Sequence, residues 1–416
     1  MQALLLAAGQ SSRMYPFANG MHKSMIRLMG KPLLQHTIAK LKLKNITEVV
    51  IVVGKDNNIE KYFGNGEKFG VSIKYVLQEK PEGAGSAILL AKEHLQDEFL
   101  LLNSYHVEID KLVDQLLSAK QETDGTLLVR QKEDTSDFGV VTVDGNKVKA
   151  ITEKPPKGKE ESNLCIVGIY LLSKSFLTEL ENTPFDHYQL ETALDAFSKK
   201  HTVCFVETKE ETVVLKYPWD LLGIKNYLLK DLQKNIAESA EIASSAEIIG
   251  QVQISENVKV MEKVVIKGPC FIGKNVFIGN NAVLRNGVIV EENSVIGANA
   301  EVKNSVIMAD SKTHSGFIGD SVIGKNCRIA AGFCTANVRL DRETVKATVK
   351  GEKVDTGLKS LGVMIGDETH FGIKSSTMPG IIIGRNVVVG SETTVMNNID
   401  DNTKYYTKFQ EVVVKQ

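Results

Sequence analysis

The chain has 416 residues, 43% of them hydrophobic and 24% charged, with a formal net charge of -1. That length suggests two or three domains of ordinary globular composition, and the balanced charge gives no support to binding of nucleic acid or an anionic membrane. No run approaches the ~18 apolar residues of a membrane span. The five cysteines, Cys165, Cys204, Cys270, Cys327 and Cys334, are scattered and form no CxxC. They read as buried thiols in a reducing compartment, so the expected location is cytoplasmic. The apolar N-terminus has no basic stretch and no small-residue cleavage site before its glycine turn, and does not read as a signal peptide.

In chain order, residues 2–8 (QALLLAA) form a near-continuous apolar strand, the pattern of a parallel sheet covered on both faces. A small-residue turn, Gly9-Gln10-Ser11-Ser12-Arg13, follows it, and residues 32–41 (PLLQHTIAKL) have helical spacing. Strands are expected at 48–53 (EVVIVV), 71–77 (VSIKYVL) and 99–103 (FLLLN), with an alanine-rich helix, SAILLAKEHL, between the last two. Strands alternating with helices predict a doubly wound α/β domain whose ligands lie at the carboxyl ends of the strands. The pattern runs to about residue 234, and residues 238–245 read as a small-residue join.

Two loops suit anions. After the first strand, small residues let backbone N–H groups approach a polyphosphate, and Arg13 adds charge-assisted contacts. The same string also serves as a plain strand-to-helix turn. Lys23, in HKS, is a second candidate phosphate cation. Gly83-Ala84-Gly85-Ser86-Ala87 opens a helix with small residues, suiting either a ligand at a helix N-terminus or simple capping.

The second half changes period. From 272 to 307 the chain reads IGKNVF, IGNNAV, LRNGVI, VEENSV, IGANAE, VKNSVI, with Ile272, Ile278, Leu284, Val290, Ile296 and Val302 opening the blocks. A period of six fits neither an amphipathic helix nor an antiparallel strand; it predicts a parallel β-helix of stacked short strands. The period returns at 318–334, with its first block one residue short, and at 365–394. Between them, residues 338–361 break the phase and are expected to leave the prism as an arm or hairpin.

These residues carry a family likeness. LLLAAGQSSRM followed by Lys23 resembles the signature of sugar-1-phosphate nucleotidylyltransferases, and the six-fold repeat resembles the left-handed β-helix that many of them carry at the C-terminus. Over nearly the whole chain the resemblance is to the bifunctional type, N-acetylglucosamine-1-phosphate uridylyltransferase joined to glucosamine-1-phosphate acetyltransferase, in its archaeal-style sugar-1-phosphate form. It implies a Rossmann-like nucleotidyltransferase domain over 1–235, a left-handed β-helix over 236–400 with the arm at 338–361, and a charged tail over 401–416.

By that resemblance Ala7, Ala8, Gly9 and Arg13 hold the base edge and phosphates of a nucleoside triphosphate, and Lys23 neutralises the reacting phosphate. Gln78, Gly83 and Ala84 recognise the base. Gly139, Glu153 and Asn163 bind the sugar, and Asp220 is a Mg²⁺ ligand. The implied reaction is in-line attack by a sugar-1-phosphate oxygen on the α-phosphorus, UTP being the expected donor, with pyrophosphate leaving. In the β-helix, His314 of HSGFIGDSVIG is the general base for acetyl transfer from acetyl-CoA. Arg285 and Lys303 grip the sugar phosphate, Asn337 lies near the sugar, and Lys346 on the arm binds substrate or coenzyme A phosphates. A homotrimer is implied.

Two positions depart from the family pattern. Where it has Gly-Asp after the 99–103 strand, the aspartate holding Mg²⁺, this chain has Asn103-Ser104-Tyr105-His106. A phenol of pKa ~10 is a poor ligand for a hard cation, and imidazole suits zinc or copper instead. Asp110, five residues on, is the candidate to reach back. Phe317 replaces the family's tyrosine and lacks its hydroxyl. A rival reading therefore keeps the acetyltransferase and makes the first domain a catalytically impaired nucleotide-sugar-binding module; a third makes the prism serve assembly alone. Which sugar, nucleotide and acyl group are used stays open at this level.

Overall fold

The computed structural model describes residues 1–118, 123–136, 138–156, 158–410 and 412–414. Residues 411, 415 and 416 of the expected tail lie outside that range. The chain forms two compact units, the first comprising Met1–Ser11, Gly20–Ile26 and Pro32–Val213, the second Ser12–Asn19, Arg27–Lys31 and Val214–Gln416.

The first unit is built on a nine-stranded sheet. Its strands are β1 (Gln2–Ala7), β2 (Glu48–Val53), β3 (Ser72–Leu77), β4 (Glu98–Asn103), β5 (Gly125–Gln131), β6 (Gly139–Asp144), β7 (Lys147–Glu153), β8 (Leu164–Ser173) and β9 (Val203–Glu207). They lie in the order β3-β2-β1-β4-β8-β5-β9-β7-β6. Strand β1 is parallel to β2 and β4, and β8 is antiparallel to β4 and β5. Alternation explains the apolar runs. Leu4, Val50, Val52 and Leu101 enter the core on one face, while Ala3, Leu5, Val49, Ile51, Leu100 and Leu102 enter the core on the other. Helices α1 (Leu33–Leu43), α2 (Ala84–Ala91) and α3 (Ile109–Ser118) belong to this unit. From β1 the chain builds outward to β2 and β3, then crosses to β4 on β1's other side. The crevice beyond the carboxyl ends of β1 and β4 is thus the topological switch point.

The second unit is a prism of three parallel sheets of 8, 9 and 8 strands. One coil uses three hexapeptides, so Val252, Cys270 and Val288 stack in register, 18 residues apart. Ile272, Ile278, Leu284, Val290, Ile296 and Val302 are each 0% exposed, which is why one aliphatic opens every block. Corner asparagines supply the left-handed turns: Asn257, Asn275 and Asn293 have φ of 57–59° and pass side-chain hydrogen bonds from coil to coil at 3.2 and 2.9 Å. Asparagine adopts this conformation at low cost because its short amide bonds locally. The chain forms a parallel β-helix of the left-handed hexapeptide type. No helix among the described residues is long and apolar enough to cross a membrane.

The first coil begins at Asn235–Ile236, next to the expected 236, while the join and the tail differ from the sequence reading. Residues 238–245, expected as a join, already belong to the first coil, because Asn235–Ile236, Glu241–Ile242 and Glu247–Ile249 pair with the coil above. The tail's Lys404–Tyr405 pairs with Val388–Val389 and continues the stack. Helix α6, which spans Asp220–Lys230 (with α4 at Ser175–Asn182 and α5 at Gln189–Lys200), groups with the prism instead of with the 1–235 stretch. The reason is Lys225, 0% exposed, whose Nζ donates to the Gly287 carbonyl at 2.5 Å and to Asn304 Oδ1 at 2.6 Å. The phase-breaking residues form an antiparallel hairpin, Lys346–Val349 with Glu352–Asp355. Lys350 and Gly351 take the two positive-φ positions of its turn.

The stretches Ser12–Asn19 and Arg27–Lys31 join the second unit through polar contacts. The Tyr15 hydroxyl donates to Asp401 Oδ1 at 2.8 Å, Arg27 pairs with Glu292 at 3.1 Å, and the Gly30 N–H donates to Glu291 Oε2 at 2.8 Å. Burial raises the Glu291 carboxyl from 4.5 to about 7, with Glu292 adding to the shift and the Gly30 N–H and Arg27 opposing it. The folded state then holds a proton that the unfolded state releases, so this group's contribution falls as pH rises from about 4.5 to about 7. Glu291→Gln is expected to remove that decline, stabilising the protein by about 1–3 kcal/mol at pH 8 and by much less at pH 4. Denaturant unfolding at both pH values measures it.

Candidate active sites

In the first unit the loop after β1 is fixed by its own small polar groups. Ala7 is buried and Gly9 exposed. Ser11 takes a positive φ of 54°, and its Oγ accepts the Lys23 N–H at 2.9 Å. His22, missed in the sequence reading although it adjoins Lys23, caps the turn Lys23–Met25 by accepting the Ser24 N–H on Nδ1 at 3.3 Å. Burial pulls the imidazole down to about 3, the Lys23 charge adding to the effect, so it stays neutral and keeps that acceptor. Lys23 is therefore anchored on both sides. Its Nζ lies 4.6 Å from the Tyr105 ring centroid, a cation–π contact of about 1–2 kcal/mol when partly desolvated.

The expected base-recognising residues are coupled to one another. Gln78 is 5% exposed and donates from Nε2 to the Gly83 carbonyl at 3.2 Å. Gly83 precedes Ala84 at the start of α2, with φ of 101°, a backbone conformation that side chains rarely adopt. A Cβ on Gly85 would lie 2.4 Å from Gln189 Oε1, so a side chain at this position would displace Gln189. The expected sugar-binding residues also converge. Gly139 and Glu153 are register partners in the β6–β7 hairpin, and a Cβ on Gly139 would come within 2.9 Å of Glu153 Oε2. Asn163 is exposed, two residues before Cys165, which pairs with Val140 next to Gly139. Lys154, missed in the sequence, adjoins Glu153 with φ of 45° and donates to the Tyr188 hydroxyl at 3.3 Å. The signal for it was its place between a strand and Pro155.

The residues after β4 do not supply a metal site. Asp110, the expected replacement carboxylate, is paired through Oδ2 with Lys40 at 2.8 Å on the first turn of α3, and its Oδ1 is buried without a hydrogen bond among the described residues. His106 is 1% exposed and faces Glu108, Nδ1 to Oε1 at 2.9 Å, and the same oxygen accepts the Val213 N–H at 3.0 Å. Glu108 was missed in the sequence reading. In the second unit Asp220 Oδ2 accepts the N–H groups of Lys216 and Tyr217 at 2.6 and 2.7 Å, so it closes the turn that opens α6. No three His, Cys, Asp or Glu side chains gather to hold a metal among the described residues. A hard divalent cation favours several anionic oxygens, and this donor set does not fit it.

Arg13 lies exposed on the short turn Ser12–Met14 in the second unit, so packing within the first unit does not bring it to Lys23. In the prism the expected residues divide into two places. Arg285 and Lys303 occupy one register row on the third face. Each already has a carboxylate: Arg285 meets Glu301 at 2.6 Å, and Lys303 meets Asp320 at 2.9 Å. Asp320, unflagged in the sequence although it sits in GDS, is the hub. It also accepts from Asn304 at 2.6 Å and from Asn337. Asn337 closes the base of the arm by accepting the Leu361 N–H at 2.8 Å. Burial lowers Lys225, which joins this network through Asn304, to about 7.

His314 stands at the other edge of that face, separated from Asp320 by the strand Gly316–Gly319, roughly 15–20 Å of chain. Its side chain is exposed and makes no hydrogen bond among the described residues, while its N–H donates to the Ile329 carbonyl at 2.8 Å. Phe317 folds over Gly319, where a Cβ would lie 2.6 Å from its ring and 3.1 Å from Asn337 Nδ2. Coils shorten at these corners. Hydrogen-bonded positions on successive coils fall from 18 residues apart to 17 and then 16, then jump to 42 across the arm. Lys346 starts the hairpin opposite Asp355 and is exposed.

Comparison with known proteins agrees with this architecture. Residues 2–223 match the nucleotidyl transferase family, residues 266–361 match a GMPPB C-terminal domain, and residues 362–395 match the hexapeptide repeat of succinyl-transferase. The fold is thus that of a nucleotidyltransferase followed by a hexapeptide-repeat domain. The bifunctional protein GlmU of Methanococcus maripaludis is 34% identical, with 100% of each chain aligned. That of Methanocaldococcus jannaschii is 34% identical over 98% of each. The bifunctional sugar-1-phosphate nucleotidylyltransferase/acetyltransferase of Sulfurisphaera tokodaii is 31% identical over 92% of this chain and 94% of its own. A solved structure from Bacillus anthracis, described as a candidate glucose-1-phosphate thymidylyltransferase, covers 56% of this chain at 22% identity with a TM-score of 0.50 and shares the fold. The chain belongs to the nucleotidyl transferase family, and within it to the bifunctional GlmU type.

The Asp320 hub yields a direct test. Asp320→Ala leaves the Lys303 ammonium and the amides of Asn304 and Asn337 without their shared acceptor. It is expected to destabilise the prism by about 2–4 kcal/mol. Thermal unfolding measures this, and Glu301→Ala, whose partner Arg285 is more exposed, is expected to cost less than about 1 kcal/mol.

Proposed function

We propose that the chain is a bifunctional enzyme of amino-sugar-1-phosphate metabolism. The prism transfers an acetyl group from acetyl-CoA to an amino-sugar-1-phosphate, and the first unit transfers a nucleotidyl group, from UTP, to a sugar-1-phosphate. The observation that carries the acetyl-transfer half is His314, exposed and without a hydrogen bond among the described residues, on the face that holds the Lys303–Asp320–Asn337 cluster. Its imidazole takes the proton as the substrate amine attacks the thioester carbonyl. The new N–C bond replaces the C–S bond, and the proton passes to the departing thiolate. Arg285, Lys303 and Asn337 bind the sugar phosphate in this reading, and Lys346 the coenzyme phosphates.

At the nucleotide site a sugar-1-phosphate oxygen attacks the α-phosphorus and pyrophosphate leaves. Ala7, Ala8 and Gly9 present backbone to the phosphates, and Lys23 offsets the developing charge. Gln78, Gly83 and Ala84 form the base-recognising edge, while Gly139, Glu153 and Asn163 form the sugar edge. The Mg²⁺ expected from the family has no fitting donor set, and no step is assigned to it. Tyr105 favours a second reading for this half, a nucleotide-sugar-binding module with little turnover.

His314 and the Arg285–Lys303 row stand at opposite edges of one face, which supports completion of the acetyl site by a second copy of the chain and hence a homotrimer. Cys165, Cys204, Cys270 and Cys327 are buried, Cys334 is exposed, and all five are free, in keeping with a reducing, cytoplasmic setting.

Thiol release from acetyl-CoA with glucosamine-1-phosphate tests the prism half. His314→Ala is expected to lower kcat by about 10²–10⁴ with little change in KM; unchanged kcat would exclude the imidazole as base. Pyrophosphate release from UTP with a panel of sugar-1-phosphates separates the two readings of the first unit, since turnover is expected of a transferase and binding alone of a module.

A further inference from the structure

The switch-point crevice is flanked by the loops that follow β1 and β4, and one side chain from each meets the other there: Lys23 and Tyr105, 4.6 Å from ammonium to ring centroid. The ring is braced from behind. His106 stacks on it at 5.0 Å and 25°, and His106 in turn faces Glu108 at 2.9 Å, both of them 1% exposed. The ammonium is also anchored through its own backbone by Ser11 and the His22-capped turn. A cation is therefore held at the place where an open α/β sheet binds its ligand, beside the small-residue loop that suits phosphates.

We propose that Tyr105 is a positioning residue for metal-independent binding of a nucleoside polyphosphate: its ring parks the Lys23 ammonium against the phosphates, in place of a carboxylate-held divalent cation. The electrostatics give the reason. A carboxylate at this position would repel a triphosphate unless a divalent cation stood between them. A neutral phenol, with an ordinary pKa of ~10, removes both the repulsion and the metal's anchor. The ring face attracts the ammonium through its quadrupole instead of through a lone pair, so the contact brings no negative charge beside the phosphates. His106 pairs with Glu108 and Asp110 with Lys40, and no three His, Cys, Asp or Glu side chains gather to hold a metal among the described residues. This inference rests on the reading of the first unit as a nucleotide-binding domain.

Calorimetry on the full-length protein tests it, with UTP, dTTP, ATP and GTP each titrated in EDTA and in excess MgCl₂, and the tightest binder carried to the variants. Wild type is expected to give dissociation constants within about threefold of each other in the two buffers. Tyr105→Phe keeps the ring and is expected to match wild type, which also controls for folding. Tyr105→Ala is expected to weaken binding about tenfold in both buffers. Tyr105→Asp is expected to bind poorly in EDTA and to recover in MgCl₂. Binding by wild type only in MgCl₂, or equal affinities for wild type and Tyr105→Ala, overturns the inference and leaves the nucleotide reading standing. No binding of any nucleotide in either buffer overturns the nucleotide reading itself.

Discussion

A coil of the prism turns a short row of apolar side chains inward, such as Val252, Ile254, Val258, Val260, Val264 and Ile266, and cannot bury them alone. Stacking is the constraint on which the second unit depends. Because each coil needs the next in strict register, Ile272, Val290 and Ile307 fall one above another, and every corner repeats the geometry of the one below it. The polar corners follow from the same rule. An asparagine ladder with positive φ at 257, 275 and 293 closes the turn at the same point of each coil.

That regularity makes its breaches informative. Coils shorten around Asn304–Ser305 and again around His314–Ser315, and the arm departs just after Asn337. A shortened corner has fewer residues to bridge the same distance, so its backbone is drawn tight and its side chains are redirected. Asp320, with φ of 50°, is turned under Lys303, Asn304 and Asn337. The residues that the functional reading needs are thus those the packing constraint has been relaxed to place. In the first unit the equivalent constraint is the sheet itself, parallel from β3 through β2 and β1 to β4, which fills both faces with aliphatics and leaves the strand ends to carry chemistry.

Much of this was legible in the chain. The period of six could satisfy no other fold, and near-continuous runs such as EVVIVV and FLLLN could sit only in a sheet covered on both sides. The loops that hold Lys23 and Gly83 were legible because small residues cluster there. What could not be read was where long polar side chains go. Asp110 and Lys40 are 70 residues apart in sequence, and nothing local announces their pairing. His106 was set aside as a ligand on its chemistry alone, and its burial against Glu108, two residues on, shows only in the folded chain. Lys225 lies on a helix that reads as the end of the first domain, and only the folded chain reveals its reach to Gly287 and Asn304. Asp320 was hidden in plain view, since an aspartate in a turn is ordinarily a turn residue. Residues 238–245 read as a join and Lys404–Tyr405 as tail for one reason: the first and last coils cover neighbours on one side only, so their aliphatic pattern is diluted.

The central claim is that the crevice between β1 and β4 binds polyphosphate through a ring-held ammonium and backbone N–H groups. Its most direct test is a crystal structure of the protein grown with UTP and Mn²⁺, with the metal located by anomalous scattering. The account predicts the triphosphate in that crevice within hydrogen-bonding distance of Lys23 Nζ, with no Mn²⁺ coordinated by a protein side chain there. A Mn²⁺ ion bridging protein oxygens and the α-phosphate, with Lys23 turned away, would contradict it.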